Sequence, residues 1–546
     1  MLRNLVLITC LTGAAAVAAA EKPNFIVINI DDLGYADIGP FGSKTNATPN
    51  LDRMAAEGRK LTSFYAAPVC SPSRASLMTG CYPKRALPTP HVLFPASEVG
   101  LNPEEVTVAE VLKGAGYATA CVGKWHLGDQ PGMLPTDQGF DYYYGIPYSN
   151  DMGTVEDGAK SNPGQEPKAA PKAKAKAAQP TRDETGLKGN ALPPLPLLEN
   201  QTVIERVKQG GQTSITRRYT EKAVELIRKH KDGPFFLYLP HTAVHFPLYP
   251  GMKWRGTSKN GLIGDWTQEV DWRVGQVLDT VRELGLDKKT LVIFTSDNGG
   301  ALNHGSNNSP LRGAKGSTLE GGMRVCTIAW WPGQIPAGTE TAAISGMLDV
   351  LPTLAGRAGA PLPQGRVLDG VDLWPALTGD AQPRQVMHYF RGPNLEAVRQ
   401  GPWKLHLKSG ELYNLEKDIG EATNVAADNA IMVTELRSLA NLMNAELGDG
   451  EFGPGCRPLG RVKDPQPLIG HDGTVRPGFD PKLAVTLSPL VTVLMPVRDA
   501  APCVAAAVRS VQAQSLADWE LVVVEDGSRD GTAEVLRALA GEDARI

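Results

Sequence analysis

An α/β fold with a large, mostly parallel sheet is predicted for this 546-residue chain, on three observations. Short runs rich in apolar residues at 25–30, 235–239 and 290–296 lack polar alternation and read as strands buried on both faces. Amphipathic helical stretches separate them. Each run stops in a cluster of Asp, Asn or His, where open α/β sheets place their ligands. At 58.3 kDa the chain exceeds one ordinary core, so at least two domains are expected.

In chain order, residues 1–20 carry Arg3, an apolar stretch over 5–17 and Ala18-Ala19-Ala20, the pattern of a secretory signal peptide cut after Ala20. The stretch is short for a membrane anchor, so an exported, periplasmic or extracellular protein without stable membrane insertion is expected. The strand at 25–30 ends in Asp31-Asp32, two hard oxygen donors suited to Ca²⁺ or Mg²⁺. A helix begins near 48–55. Residues 69–80 read as a loop entering a helix. Pro72 fits the first turn, where its missing N–H has no helical partner. Cys70 then stands at the helix N-terminus, which favours an anion, with Arg74 one turn on.

A helix at 104–116 and a strand at 117–122 lead into Gly123-Lys124-Trp125-His126. On extended backbone Lys124 and His126 point to the same side. Residues 153–198 are expected to form a flexible insertion, because the Pro/Lys/Ala tract at 167–180 has no apolar periodicity. A helix over 219–230 precedes the strand at 235–239, which ends near His241 and His245. A long helix over 265–284 precedes the strand at 290–296, which ends in Asp297-Asn298. Arg312 and Lys315 follow in a glycine-rich stretch, then a strand at 327–330 and a helix at 349–356. Residues 21–385 form the main domain. Residues 386–450 read as a smaller antiparallel sheet closed by a helix at 431–447. A Gly/Pro-rich linker (451–488) and a final βαβ unit (489–546) complete the chain.

Lys plus Arg number 55 against 59 acidic residues, a net charge of −4, which does not favour a nucleic-acid partner. An anionic ligand must be held by local cations. The seven cysteines (Cys10, Cys70, Cys81, Cys121, Cys326, Cys456, Cys503) show neither zinc-site nor dense disulfide spacing.

The run from Cys70 to Gly80 resembles the C-x-P-S-R-x-x-L-x-T-G signature of the type I, formylglycine-dependent sulfatases. Residues 116–128 resemble that family's second signature, G-Y-x-T-x-x-x-G-K-W-H-L-G. The resemblance covers roughly 22–450 and sits close to the arylsulfatase A and N-acetylgalactosamine-6-sulfatase branch. It implies an alkaline-phosphatase-like fold and hydrolysis of sulfate monoesters, either small molecules or sulfated glycans. It also implies that a maturation enzyme oxidises Cys70 to formylglycine (3-oxoalanine), whose hydrate is the nucleophile and forms a sulfo-enzyme intermediate.

One divalent cation, Ca²⁺ or else Mg²⁺, is implied at Asp31, Asp32, Asp297, Asn298 and residue 70. Arg74, Lys124, His126, His245 and Lys315 are implied at the sulfate. His245 is selected as the histidine before x-Pro, and His241 has the weaker claim. Three carboxylates, a divalent cation and a sulfate monoester sum to −2, which Arg74, Lys124 and Lys315 offset.

Two alternatives remain open from the residues: a phosphate or phosphonate monoester hydrolase on the same scaffold, and a non-catalytic binder of sulfated glycans. The C-terminal unit resembles the opening of a family 2 glycosyltransferase, with Asp526 at the base-binding position. It lacks the later Asp-x-Asp motif, so a truncated fragment without transfer activity is expected.

Overall fold

The computed structural model describes residues 22–165, 181–480, 491–513 and 519–543. The expected signal peptide and the 167–180 tract lie outside the described residues.

Eleven strands among the described residues form one mixed sheet. In chain order they are β1 (Asn24–Ile30), β2 (Arg59–Tyr65), β3 (Ala118–Val122), β4 (Tyr142–Gly145), β5 (Pro196–Glu199), β6 (Thr202–Arg206), β7 (Phe235–Pro240), β8 (Thr290–Ser296), β9 (Arg324–Trp330), β10 (Thr339–Thr341) and β11 (Ser345–Gly346). Spatially they run β10-β2-β9-β8-β1-β7-β3-β4-β5-β6, with β11 also beside β2. The central strands β8, β1, β7, β3 and β4 are parallel. The β8–β9, β9–β2, β4–β5 and β5–β6 pairs are antiparallel.

Strand β1 shows why its sequence is mostly apolar, with Asn24 and Asn29 buried in hydrogen bonds to Thr290 and Tyr238. Ile26, Ile28 and Ile30 enter one core layer, while Phe25 and Val27 enter the opposite one. With helices covering both faces, every side chain of the strand is removed from water.

Helix α1 (Pro49–Glu57) follows Thr48, with proline in its first turn. Helix α2 (Cys70–Thr79) is buried on every side and stops at Gly80, whose φ of 69° supplies the left-handed cap. Helix α3 (Val108–Gly114) starts later than the predicted 104, because Thr107 and Glu110 close a capping box there.

Helix α4 (Gln209–Lys229) extends well upstream of the predicted residue 219. Gly, Ser and Thr are weak helix formers, but Ile215 is buried and Thr216 accepts from Trp266 Nε1, so packing overrides propensity. Helix α5 (Gly261–Glu283) packs beside it.

A four-stranded antiparallel sheet follows: β12 (Val386–Arg391), β13 (Asn394–Gln400), β14 (Trp403–His406) and β15 (Leu412–Asn414). Helix α6 (Ala430–Leu447) buries Leu436, Ala440 and Leu447 against it.

Two stretches depart from expectation. The described flanks of the 153–198 segment, expected to be flexible, are built into the fold. Asp157 pairs with Arg206, β5 joins the main sheet, and Thr185 O accepts from Phe94 N. Leu192, Leu195, Leu197 and Leu198 are buried in the main core at the end of this segment, a short apolar stretch that the adjoining Pro/Lys/Ala tract masks in composition. The described part of the expected linker, 451–480, folds back onto the main domain. Gly460–Arg461 pairs with Val99–Gly100, Arg457 meets Glu105 and Phe479 is buried.

The C-terminal βαβ unit pairs β16 (Val491–Val497) with β17 (Trp519–Glu525) in parallel, around Val504, Val508 and Leu521. Leu494, Val522 and Val524 of its strands remain exposed.

Candidate active site

The site gathers at the carboxyl ends of β1, β3, β7 and β8, which the topology places side by side. Beyond β1 the chain turns sharply: Asp32 adopts a φ of 62°, which aims two consecutive carboxylates into one pocket instead of onto opposite faces. Main-chain bonds from Asp31 N to Ala243 O and from Asp297 N to Ile30 O tie the strand ends together. Gly123, at the end of β3, is required by close approach. A Cβ there would stand 1.8 Å from Pro240 O, and its φ is 139°.

Helix α2 brings Cys70 to this point. Its Sγ lies 3.3 Å from Asp31 Oδ1 and 3.7 Å from Lys315 Nζ. Lys124 Nζ reaches Asp31 Oδ2 at 2.6 Å, and Lys315 Nζ reaches Asp32 Oδ1 at 2.6 Å. Arg74 donates from Nε and Nη2 to Asp297 Oδ2 and from Nη1 to the Lys124 carbonyl. Asn298 Nδ2 donates to Asp32 Oδ1 at 2.8 Å. His245 Nε2 is 3.7 Å from Asp32 Oδ2. Asp31, Asp32, Asp297, Arg74 and Lys124 are buried. Each carboxylate thus has its own cation, which offsets the cost of burying charge.

The electrostatics follow from that pairing. Burial alone would raise the Asp31 carboxyl, but Lys124, His245, Arg74 and Lys315 outweigh it and hold the group far below the usual range. Asp32 is likewise lowered against burial, by Lys315 and His245. Asp297 is raised by burial and by neighbouring Asp31, despite Arg74. Burial, with Asp297 and Asp31 nearby, pushes the Cys70 thiol well above its ordinary value.

His126 departs from expectation. It sits at φ 65°, which breaks the extended run, so spacing from Lys124 does not set its direction. Its Nε2 bonds to the Leu93 carbonyl at 2.9 Å and therefore carries the proton. Nδ1 is buried without a partner. Burial, reinforced by Lys124 and Arg74, keeps the ring neutral. His241 is buried against Tyr219 and makes no contact with these carboxylates.

Ser149 was not singled out by the sequence. Its hydroxyl accepts from Lys124 Nζ and meets His245 Nδ1, both at 3.3 Å, and so links the two. A lone serine in a turn carries no pattern that would mark it.

The donors suit a hard divalent cation. Ligand atoms of Asp31, Asp32, Cys70 and His245 all fall within 4.8 Å of one another. The buried Oδ1 of Asn298 has no hydrogen-bond partner, an unsatisfied acceptor at the same place.

Known proteins resemble this chain over most of its length. The sulfatase family model matches residues 23–360. Human arylsulfatase A is 38% identical over 510 residues, covering 85% of this chain and 96% of that protein. Dog N-acetylgalactosamine-6-sulfatase is 36% identical, covering 74% and 75%. Among solved structures, Ps i-CgsB in complex with k-i-k-neocarrahexaose superposes with a TM-score of 0.65 at 30% identity, covering 80% of this chain and 95% of that one. PsFucS1 sulfatase from Pseudoalteromonas sp. gives 0.68 at 27% identity, covering 81% and 92%. A glycosyl transferase family 2 model matches residues 492–546.

Proposed function

The chain belongs to the sulfatase family of sulfuric ester hydrolases, and we propose that it cleaves sulfate monoesters of glycans with residue 70, matured to formylglycine, as nucleophile. The observation that carries this reading is the seat of Cys70 at a helix N-terminus, between the Asp31 carboxylate and the Lys315 ammonium. A thiol at residue 70 offers one nucleophilic atom and no second hydroxyl for releasing sulfate. Formylglycine supplies, as its hydrate, one hydroxyl for attack and a second for releasing the product.

Asp31, Asp32, Asp297 and Asn298 are the residues that would hold one cation with residue 70; the close approach of Asp31 and Asp32 and the unpartnered Asn298 oxygen support this, and Ca²⁺ suits such oxygen donors. Bound there, such an ion would supply Lewis-acid polarisation of a sulfate oxygen. Arg74, Lys124 and Lys315 contribute positive charge to the sulfate oxygens. His245, on the exposed side of the cluster, donates a proton to the leaving oxygen. His126, its ring oriented by the Leu93 bond and its Nδ1 unpartnered, would assist the departure of sulfate from residue 70. The glycan substrate is supported by the carbohydrate complex of the similar Ps i-CgsB. No helix of the described residues is long and apolar enough to cross a membrane, and we propose export through the N-terminal signal.

The test is mass analysis of the peptide spanning 60–85 from protein made in its natural host, with parallel assays on sulfate and phosphate monoesters. Conversion of Cys70 lowers the peptide mass by about 18 Da. An unmodified thiol in active enzyme, or a preference for phosphate esters, refutes the reading.

A further inference from the structure

We infer that the small antiparallel sheet sets the position of Lys315, with Glu421 and Lys404 as its positioning residues. The inference rests on the reading that Lys315 acts at the sulfate. Lys315 lies in the middle of the loop over 311–322, and both arms of that loop are gripped from the small sheet and the turn after it. On one arm, Arg312 Nη1 donates to the Glu421 carbonyl at 2.9 Å. On the other, Glu320 N donates to Glu421 Oε2 at 2.7 Å, and Lys404 Nζ donates to the Thr318 carbonyl at 2.9 Å. Thr318 Oγ1 adds a bond to Glu396 Oε2 of β13 at 2.8 Å. On the side of the main domain, Lys315 N donates to Gly300 O and Gly316 N to Pro68 O. The loop is thus suspended between the two subdomains, with Lys315 at its midpoint.

The grip is charged and dry. Lys404 Nζ lies 2.9 Å from both Glu320 Oε1 and Glu421 Oε1, and all three side chains are fully buried. Tyr65 and Tyr389 donate their hydroxyls to Glu320, and His406 Nε2 meets Glu421 Oε1 at 2.7 Å. Buried ions of this kind are tolerated only in one paired arrangement, so the cluster fixes how the small sheet docks. Glu421 is held at φ 53°, a conformation that non-glycine residues rarely adopt, and this places its carbonyl and its carboxylate on different arms of the loop. The cluster performs no chemistry. It gives Lys315 the register that puts Nζ 2.6 Å from Asp32 and 3.7 Å from Cys70. A displacement of about 1 Å at such a group costs on the order of a hundredfold in rate.

The test is a double-mutant cycle on the full, matured chain: wild type, Lys315→Ala, Glu421→Gln and the double variant. Each is assayed for kcat and KM on an aryl sulfate whose good leaving group keeps residual turnover measurable, with tryptophan fluorescence reporting folding. Glu421→Gln is expected to lower kcat/KM by about tenfold or more in wild type and to cost almost nothing further in Lys315→Ala. Arg312→Met, outside the buried cluster, serves in the same cycle if Glu421→Gln does not fold. Additive losses, or wild-type activity in the folded Glu421→Gln or Arg312→Met variant, overturn the positioning role alone. Wild-type activity in Lys315→Ala overturns the role of Lys315 and this inference with it.

Discussion

Arg74 meets a single oxygen of Asp297 with two nitrogens, Nε at 3.0 Å and Nη2 at 2.7 Å, and neither side chain is exposed. The guanidinium fork orients the carboxylate so that its other oxygen accepts from Asp32 N at 3.3 Å. One ion pair therefore couples helix α2 to the ends of two strands.

Breaking that pair is expected to cost stability as well as rate. Arg74→Ala leaves Asp297 charged, buried and unpaired, a loss of about 3–5 kcal/mol in denaturant unfolding. Arg74→Lys keeps the charge but cannot reach both positions. Its kcat/KM is expected to fall by roughly a hundredfold, with the smaller stability loss. Equal stability losses in the two variants would refute the distinction.

Cys70→Ala separates chemistry from scaffold. The Lys124–Asp31 and Lys315–Asp32 pairs do not depend on the sulfur, so unfolding free energy is expected to stay within about 1–2 kcal/mol of wild type. Turnover is expected to fall by roughly 10⁴-fold or more. Substantial residual sulfatase activity would exclude residue 70 as nucleophile.

Chelation tests the cation. Thermal midpoint and activity are expected to drop together on treatment with chelator and to return on adding Ca²⁺. At a hundredfold excess over its Kd the ion contributes about 2.7 kcal/mol. Asp32→Asn is expected to abolish the Ca²⁺-dependent shift in midpoint. A midpoint indifferent to chelator, in protein shown by elemental analysis to be metal-free, would contradict a resident ion.

Acid is expected to destabilise the chain through two buried histidines away from the carboxylate cluster. Burial, aided by Arg273, lowers His241 to about 3, and burial lowers His388 to about 4. The unfolded chain takes up these protons near pH 6.5, while the folded chain does not. Stability is therefore full above pH 6.5 and is lost as pH falls, by up to about 1.4 kcal/mol per pH unit for each histidine. The loss from His388 levels off near pH 4 and that from His241 near pH 3. Urea unfolding of His388→Gln between pH 4 and 7 checks this, since that variant is expected to show a shallower slope.

The sequence determined the elements that carry their own signal. The apolar runs of β1, β7 and β8 announced buried strands, because burial on both faces favours apolar side chains on both and leaves no polar alternation. Their polar endings marked Asp31, Asp32, His245, Asp297 and Asn298, and the two signatures marked Cys70, Arg74, Lys124 and His126. Tertiary structure alone decided the rest. It chose which cation meets which carboxylate, turned His126 onto the Leu93 carbonyl, brought Ser149 between Lys124 and His245, and folded 451–480 back onto the main domain. Those outcomes depend on backbone reversals and on main-chain and side-chain bonds between segments far apart in the chain. Main-chain donors and acceptors are the same at nearly every residue, so the order of side chains does not record which of them will pair.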